Sequence, residues 1–263
     1  MITFAISNIK GGVAKTTTAA TLASGLHDRG YRVLMIDSDP QTNLTMCFTN
    51  EPDDDDPTLY HLYSEGKPIT DLRKEIKPGL DLVTGDFTLC GSDWEFLGQL
   101  GSLKWLRKAM KSISEEYDYA IIDTPPNLGF LSLNAFIACD YIITPMAAES
   151  FSFKAIRLLR ETIDKVEDDT ERKIPVIGIL VTRYMDRANI SKACEKNIDV
   201  AADTLETQVF KSRIRQTVVV QESQLVKMSL FEYAAKAMVT MDYNSFIDEL
   251  LERIGGGPIN GKE

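Results

Sequence analysis

A glycine-rich segment between an apolar run and a helical pattern constrains this chain more than any other feature. Residues 10–17 read Lys-Gly-Gly-Val-Ala-Lys-Thr-Thr; the run Ile2–Ser7 precedes them, and Lys15–Arg29 carries apolar residues at helical spacing. Gly11 and Gly12 let the backbone approach a ligand closely because they have no Cβ. Successive amide N–H groups at a helix N-terminus form an anion site. The segment therefore predicts a phosphate-binding loop.

The polar side chains of this segment fit a nucleoside triphosphate. Lys15 is predicted to place a charge between the β- and γ-phosphates, and the Thr16 hydroxyl to ligate Mg²⁺. A glycine-rich turn with two stray lysines is the alternative, but the strand–loop–helix context and the carboxylates downstream disfavour it. The residues predicted to contact the nucleotide are Gly11, Gly12, Val13, Ala14, Lys15, Thr16 and Thr17.

Carboxylates follow two further apolar runs. Asp37 and Asp39 come after Arg32–Ile36, and Asp123 comes after Tyr119–Ile122. Ligands of open α/β folds bind outside the carboxyl ends of the strands. Two carboxylates as close as Asp37 and Asp39 repel each other without a nearby cation, which favours a Mg²⁺ or lysine neighbour over a pair of turn or capping acids. Asp123 is predicted to hold Mg²⁺ directly or through water.

Apolar runs alternate with helical patterns along most of the chain. The predicted strands are Ile2–Ser7, Arg32–Ile36, Leu80–Thr84, Tyr119–Ile122, Tyr141–Thr144, Pro175–Val181 and the shorter Gln208–Phe210; the predicted helices are Lys15–Arg29, Leu103–Glu116, Ser152–Asp168 and Ile190–Thr204. This alternation favours an α/β fold with a doubly wound, mostly parallel sheet of about seven or eight strands and helices on both faces. Neither an internal repeat nor a long linker interrupts it, so we predict a single domain over residues 1–263.

Composition narrows the class of protein. The formal net charge is −10, which gives no global basic signature for nucleic acid, although a local basic patch can act alone. The four cysteines have neither metal-ligand nor redox spacing, as is typical of packing residues in a reducing compartment. No apolar run approaches the roughly 20 residues that span a bilayer, and the first residues read as a strand rather than a signal peptide. We expect a cytoplasmic protein, with loops at Asn50–Pro57 and from Gly255 onward.

The phosphate loop departs from the usual Walker A spacing. Ala14 precedes the second lysine, and an additional lysine, Lys10, opens the loop. This pattern resembles the deviant Walker A family of ATPases. Residues 37–41, Asp-Ser-Asp-Pro-Gln, look like the switch I of that family, and residues 123–126, Asp-Thr-Pro-Pro, look like its Walker B aspartate and switch II.

Within that family the chain is most similar to the ParA branch of partitioning ATPases. The run Asn127–Asp140 is similar to the corresponding ParA segment, and Glu149 falls at an acidic position of that branch. The resemblance extends from residue 1 to about residue 185. The predicted strand at residue 2 leaves no N-terminal helix-turn-helix extension, which is similar to the short form of ParA.

The resemblance implies an ATPase that binds ATP and Mg²⁺ and hydrolyses ATP slowly until a partner stimulates it. It implies that Lys10 reaches across an ATP-dependent homodimer to the other subunit's nucleotide, that Asp39 orients the attacking water, and that Asp37 supports the metal and the loop. It further implies non-specific DNA binding by the dimer, a centromere-binding partner of the ParB type, nucleoid association in the ATP state and no membrane binding.

The C-terminal third departs from the family pattern. Residues 213–223 keep Glu222 but lack both prolines of a loop that forms part of the adenine pocket and the DNA surface in the family. Arg183 is a candidate contact near the base, with an ordinary surface arginine as the alternative. Alternating basic residues fit phosphate contacts, which carry affinity without sequence information, although an ordinary charged edge would look the same. The candidate DNA-binding residues are Lys211, Arg213, Arg215 and Lys227.

Two other functions stay open. Positioning of a membrane partner, as in MinD-like ATPases, needs a basic amphipathic C-terminal helix. The closing helix has an apolar stripe from Phe246 to Ile254, but acidic residues dominate its other face and an anionic leaflet would repel them. A metabolic P-loop enzyme, such as a dethiobiotin-synthetase-like ligase, is the second alternative, and the switch II similarity argues against it. His27 and His61 lie near no catalytic pattern.

Overall fold

The computed structural model describes residues 1–147, 152–184 and 192–255. Within these residues eight strands form one sheet: β1 Ile2–Ile6, β2 Val33–Asp37, β3 Arg73–Lys77, β4 Leu80–Val83, β5 Tyr119–Asp123, β6 Tyr141–Ala147, β7 Val176–Tyr184 and β8 Val209–Arg215. The α-helices are α1 Lys15–His27, α2 Asn43–Phe48, α3 Leu59–Ser64, α4 Ser92–Phe96, α5 Trp105–Lys111, α6 Phe130–Ala138, α7 Phe153–Thr170, α8 Lys192–Thr204, α9 Val219–Leu225, α10 Leu230–Tyr233 and α11 Met238–Arg253. None of the described helices combines the length and the apolar character needed to cross a bilayer.

The strands lie in the order β3-β4-β2-β5-β1-β6-β7-β8. Each neighbouring pair is parallel except β3 and β4, which are antiparallel. The predicted doubly wound, mostly parallel sheet is therefore confirmed. Strand β3 was not predicted, because its sequence Arg-Lys-Glu-Ile-Lys is charged, as edge strands often are.

Both faces of the sheet are covered by helices. In β5, Ala120 and Ile122 belong to the apolar core beneath α3, α5, α6, α7 and α8, whereas Tyr119 and Ile121 belong to the core beneath α1, α2, α10 and α11. All four side chains are buried, and burial of one large aliphatic side chain stabilises the fold by about 1.5–3 kcal/mol. Two-sided burial explains why the central strands read as continuous apolar runs.

The apolar stripe of the closing helix α11 packs against the body of the protein. Phe246, Ile247 and Leu250 are fully buried. A Cβ added at Gly25 of α1 would lie 2.3 Å from the Ile247 Cδ1 atom, so these two helices approach each other more closely than any larger residue would allow. The stripe is therefore part of the core.

Most predicted elements differ from the structure by one to three residues at an end, and two predicted elements differ by more. The predicted helix Leu103–Glu116 is wrong at both ends: a 3-10 turn covers Ser102–Lys104, and α5 ends at Lys111. The Ser112 and Ser114 hydroxyls each bond to the carbonyl three residues earlier, which competes with helix continuation. The short predicted strand at residues 208–210 extends to Arg215, because Phe210 and Ile214 alternate with exposed or half-buried residues along an edge strand.

The predicted loops and some predicted helix residues need separate mention. Asn50–Pro57 contains neither helix nor strand. The first two residues of the predicted helix Ile190–Thr204, together with Glu149 and the tail after Gly255, lie outside the described residues.

Candidate nucleotide-binding site

The phosphate loop connects β1 to α1 with two residues in the left-handed region. Gly12 has φ +72° and Ala14, the N-cap of α1, has φ +64°. The neighbouring strand β7 holds the loop in place: the Thr182 hydroxyl donates to the Val13 carbonyl at 3.0 Å, and Arg183 Nη1 donates to the Gly12 carbonyl at 3.0 Å. The two bonds from β7 therefore help to fix the conformation of the loop.

The first part of the loop is fixed by Asn8. Its Nδ2 donates to the Pro145 carbonyl at 2.8 Å, and its Oδ1 accepts from the Lys10 backbone N–H at 3.0 Å. Lys15 Nζ donates to the Lys10 carbonyl at 3.3 Å. Burial lowers the pKa of Lys15, and the negative charges of Asp123 and Asp39 oppose that shift. Lys15 therefore lies as a buried cation beneath the loop, beside the carboxylates at the strand ends.

Parallel register brings the carboxyl ends of three strands together. Asp123 of β5 lies opposite Ile6 of β1 on one side and opposite Asp37 of β2 on the other. Asp37 and Asp123 are fully buried, and Asp39 is 7% exposed. The three carboxylates and Lys15 therefore lie close together at one edge of the sheet.

Asp37 acts as an acceptor for the loop that follows β2. Its Oδ2 accepts from the Thr45 backbone N–H and from the Thr45 hydroxyl, each at 2.7 Å, and its Oδ1 accepts from the Asp39 backbone N–H at 3.2 Å. Burial raises the pKa of Asp37 to about 6 against the effect of these bonds. The Gly85 N–H, at the end of β4, donates to the same Thr45 hydroxyl at 3.1 Å. Asp37 thus positions the segment that carries Asp39.

Asp123 is placed differently. The Thr16 hydroxyl donates to Asp123 Oδ2 at 2.6 Å, whereas Asp123 Oδ1 is buried without a hydrogen-bond partner among the described residues. Burial, reinforced by the charge of Asp37, raises the pKa of Asp123. An unpaired buried carboxylate oxygen is costly unless a cation or donor approaches it. A carboxylate beside a hydroxyl suits Mg²⁺, which typically takes one or two protein oxygens and completes its shell with phosphate and water. The residues present fit this ion.

Two adjoining cavities open over the loop. One, of about 670 Å³, is lined by the loop, Asp39, Pro126 and residues of α2 and α9. The other, of about 550 Å³, is lined by Gly12, Arg183 and the segment from Ile214 to Val218. Both volumes lie in the range of small-molecule sites. Residues shared by the two cavities are Gly12, Ala14, Thr17, Gln221 and Gln224.

Gln221 and Gln224 are site residues that the sequence did not single out. They lie on α9, which begins within the segment 213–223 that departs from the family pattern. Gln224 Nε2 donates to the Thr17 hydroxyl at 3.3 Å, so α9 contacts the first turn of α1 directly. Their only signal in the sequence was their place in a region where the family contacts nucleotide.

The candidate DNA-binding residues do not form one surface. Lys211, Arg213 and Arg215 alternate along the edge strand β8. Arg215 makes a two-pronged ion pair with Asp242, at 2.6 and 2.8 Å, and Arg213 lies 3.6 Å from a Glu195 oxygen. Lys227 lies elsewhere: it lines the 670 Å³ cavity and bonds to the side chain of Asn50.

These features define a class of protein. The phosphate site of a P-loop NTPase consists of a strand, a glycine-containing loop and a helix. Here that helix carries the buried Lys15, and the Thr16 hydroxyl bonds to the strand-end aspartate Asp123. The "AAA domain" family model matches residues 1–176.

Known proteins that are similar over nearly the whole chain identify the family more narrowly than the family model does. The chromosome partitioning protein ParA of Myxococcus xanthus is 32% identical, covering 94% of this chain and 87% of that protein. ParA of Caulobacter vibrioides is 32% identical, covering 95% and 93%. A solved structure named cobyrinic acid a,c-diamide synthase, from Mycobacterium smegmatis with a bound ATP analogue and magnesium, has a TM-score of 0.85 at 28% identity, covering 98% and 97%. The chain belongs to the ParA-type partitioning ATPases of the ParA/MinD family.

Proposed function

We propose that this protein binds ATP with Mg²⁺, dimerises in that state, binds DNA without sequence preference and is reset by partner-stimulated hydrolysis. The observation that carries the proposal is the Thr16–Asp123 pair beneath the phosphate loop, where Asp123 Oδ1 is buried and has no partner in the part of the chain that the structure describes. The nucleotide and magnesium in the similar Mycobacterium smegmatis structure support the same assignment. We also propose that residues 1–263 form one domain.

The loop and α1 would hold the triphosphate. The backbone N–H groups of residues 11–17 supply donors at the positive end of α1, and Lys15 supplies a cation that burial leaves poorly solvated. Thr16 and Asp123 would hold Mg²⁺, which when bound neutralises charge on the β- and γ-phosphates. The second cavity, between Arg183 and Val218, would take the base. At this cavity the Arg183 side chain stays close to the phosphate loop, because its guanidinium bonds to the Gly12 carbonyl.

Asp39 is the carboxylate best placed to act on water. Of Asp37, Asp39 and Asp123, Asp39 alone lines the 670 Å³ cavity. Its Oδ1 accepts from the Gln41 backbone N–H at 3.0 Å, which fixes the orientation of the carboxylate. Asp37 and Asp123 are engaged by Thr45 and Thr16. Asp39 would therefore orient the water that attacks the γ-phosphate.

Lys10 would act on the other subunit of a dimer. It is half-buried at the start of the loop, and it is not among the described residues that line the cavity, whereas Lys15 is. A face-to-face dimer would bring two γ-phosphates close together, and that arrangement needs positive charge from each subunit. Lys10 of each protomer would supply it.

The family relation supports the remaining parts of the proposal. Relatives named as chromosome partitioning proteins support a role in DNA segregation, with non-specific DNA and a centromere-binding protein of the ParB type as partners. We propose that the ATP-bound dimer is cytoplasmic and associates with the nucleoid.

A combined assay tests the function. Nucleotide binding is measured by calorimetry, and DNA gel shifts and vesicle co-sedimentation are run with ATP, with ADP and without nucleotide. ATP-dependent DNA binding without vesicle binding is the expected result. Vesicle binding in place of DNA binding would indicate a membrane-positioning ATPase instead.

A metabolic role is the second candidate, favoured by the name of the Mycobacterium smegmatis structure. An ATP-dependent amidation would need a carboxylic acid substrate in the cavity next to the γ-phosphate. ATP turnover that depends on such an acid, and not on DNA or a protein partner, would favour this candidate.

A further inference from the structure

Helix α5 carries a stripe of four basic side chains, Lys104, Arg107, Lys108 and Lys111. Lys104 is the residue before its first turn, and the spacing of the four residues places them on one face of the helix. All four are exposed. The opposite face is apolar and buried, and places Leu106 and Met110 in the core. The stripe is therefore held on a helix that the core fixes in orientation.

None of these four side chains has a hydrogen bond or ion pair with any described residue. The arginines of β8 differ, because Arg213 has Glu195 and Arg215 has Asp242 as acidic partners. A phosphate contact by the β8 arginines must compete with those carboxylates. A contact by the α5 stripe has no such competitor.

The surroundings of the stripe keep its charge uncompensated. No acidic residue lies between Glu95 and Glu115 in the sequence. Helix α5 packs against α6 and α3, and neither helix contains an Asp or Glu residue. The stripe is thus a positive patch on a chain whose formal net charge is −10, and it creates a local field that attracts polyanions.

We infer that the α5 stripe, rather than the β8 cluster, is the main surface that contacts DNA phosphates; this rests on the DNA binding proposed above. The stripe spans about 10 Å at 1.5 Å per residue. Over that length each strand of a duplex presents about three phosphates. The four cations therefore match the phosphate density of one strand, and contacts of this kind carry no sequence preference.

An anionic membrane is the competing partner for a basic surface. Trp94 and Leu100, just before α5, are almost fully exposed and could enter a bilayer interface. However, Asp93 and Glu95 flank Trp94, and an anionic leaflet would repel them. The apolar face of α5 itself is packed in the core and is not free to insert. These features favour DNA.

The test replaces Lys104, Arg107, Lys108 and Lys111 together by Gln. The matched control replaces four exposed lysines that likewise have no ion pair, Lys74, Lys154, Lys165 and Lys196, by Gln. A third variant carries Arg213→Gln and Arg215→Gln. Binding of a fluorescein-labelled duplex of arbitrary sequence is followed by anisotropy with ATP and Mg²⁺, between about 50 and 200 mM KCl. ATP affinity of each variant, measured by calorimetry, confirms that the fold is intact.

The expected result is a loss of at least tenfold in DNA affinity for the α5 variant. Its salt slope should fall by about 0.9 for each phosphate contact removed, with the control close to wild type. Equal losses in the α5 variant and the control, or a loss confined to the Arg213 and Arg215 variant, would overturn the inference while DNA binding stands. If the wild-type protein binds no DNA, both the inference and the proposed function are wrong.

Co-sedimentation with vesicles tests the competing partner, an anionic membrane. Wild type is sedimented with vesicles containing phosphatidylglycerol and with vesicles of pure phosphatidylcholine. Little sedimentation with either is expected. Stripe-dependent binding to the anionic vesicles, without stripe-dependent DNA binding, would assign the surface to membranes and contradict the inference.

Discussion

The Asp93 carboxylate accepts a hydrogen bond of 2.6 Å from the backbone N–H of Phe130, the first residue of α6. It thereby caps a helix whose preceding residue, Gly129, supplies no side chain. A Cβ at Gly129 would lie 2.4 Å from both Asp93 carboxylate oxygens. The loop that joins Asp123 to α6 is therefore held at its far end by α4.

Removal of this cap should destabilise the protein. Asp93→Ala leaves the Phe130 N–H without its acceptor and removes a negative charge from the N-terminus of α6, which should cost about 1–2 kcal/mol in the free energy of unfolding. Urea denaturation measures the change. Glu95→Ala is the control, since among the described residues the Glu95 carboxylate bonds only to the Tyr60 hydroxyl at the surface. Equal stability of the Asp93→Ala variant and wild type would contradict the capping role.

Sequence patterns predicted the centre of the site because its parts are local. The loop residues 10–17 are contiguous, and Asp37 and Asp123 each end an apolar strand whose parallel neighbours bring such ends together. Asp93, Gly85 and Gln224 could not be predicted in the same way. Each bonds to its partner across a long separation in sequence, and a lone Asp, Gly or Gln carries no periodic signal.

In the fold too, elements with a local sequence pattern were predicted, and elements that depend on long-range contacts were not. Buried strands such as β5 are apolar throughout, so their pattern is visible in the sequence. The charged edge strand β3 is identified by its hydrogen bonds to β4, which depend on tertiary structure. The ion pairs that engage Arg213 and Arg215 likewise come from residues on α8 and α11, and composition alone could not reveal them.

The pH dependence of stability should report the burial of Asp37. Burial raises its folded-state pKa from 3.8 to about 6. The folded state therefore holds the proton more tightly than the unfolded state. The contribution of Asp37 to stability is fully present below pH 3.8 and is lost as pH rises through about 6. Urea denaturation of wild type and Asp37→Asn across this range measures the difference, which should shift in favour of the variant as pH rises. Parallel pH profiles for the two proteins would be inconsistent with a raised pKa.

Lys15→Ala should abolish tight ATP binding. Lys15 is the buried cation beneath the phosphate loop, and its loss leaves the charge of the β- and γ-phosphates facing Asp39 and Asp123 uncompensated. Calorimetry with ATP and Mg²⁺ measures the effect. Lys154→Ala, an exposed lysine on α7, serves as the control and should bind ATP as wild type does. Unchanged affinity in the Lys15→Ala variant would remove the basis of the P-loop assignment.

Asp39→Ala should separate ATP binding from hydrolysis. The Asp39 carboxylate lines the cavity but makes no bond to the loop that holds the phosphates, so its removal should leave ATP affinity largely intact. Turnover should fall because the attacking water loses its orienting group. The variant should accumulate as an ATP-bound dimer, since in the proposed cycle hydrolysis is the step that dissolves the dimer. Light scattering with ATP and a phosphate-release assay measure both effects, and a monomeric Asp39→Ala protein with ATP would contradict the mechanism.

Lys10→Ala should prevent dimerisation, which is the opposite of the effect expected for Asp39→Ala. Its backbone carbonyl would still accept the Lys15 ammonium, so the loop should keep its shape and each monomer should bind ATP. The dimer should not form, because in the proposed arrangement two γ-phosphates would face each other without the positive charge assigned to Lys10 of each protomer. Lys10→Arg retains the charge and is the matched control, for which partial recovery of the dimer is expected. Light scattering with ATP compares these variants with wild type. If Lys10→Ala dimerises as well as wild type, Lys10 does not act across a dimer interface in this protein.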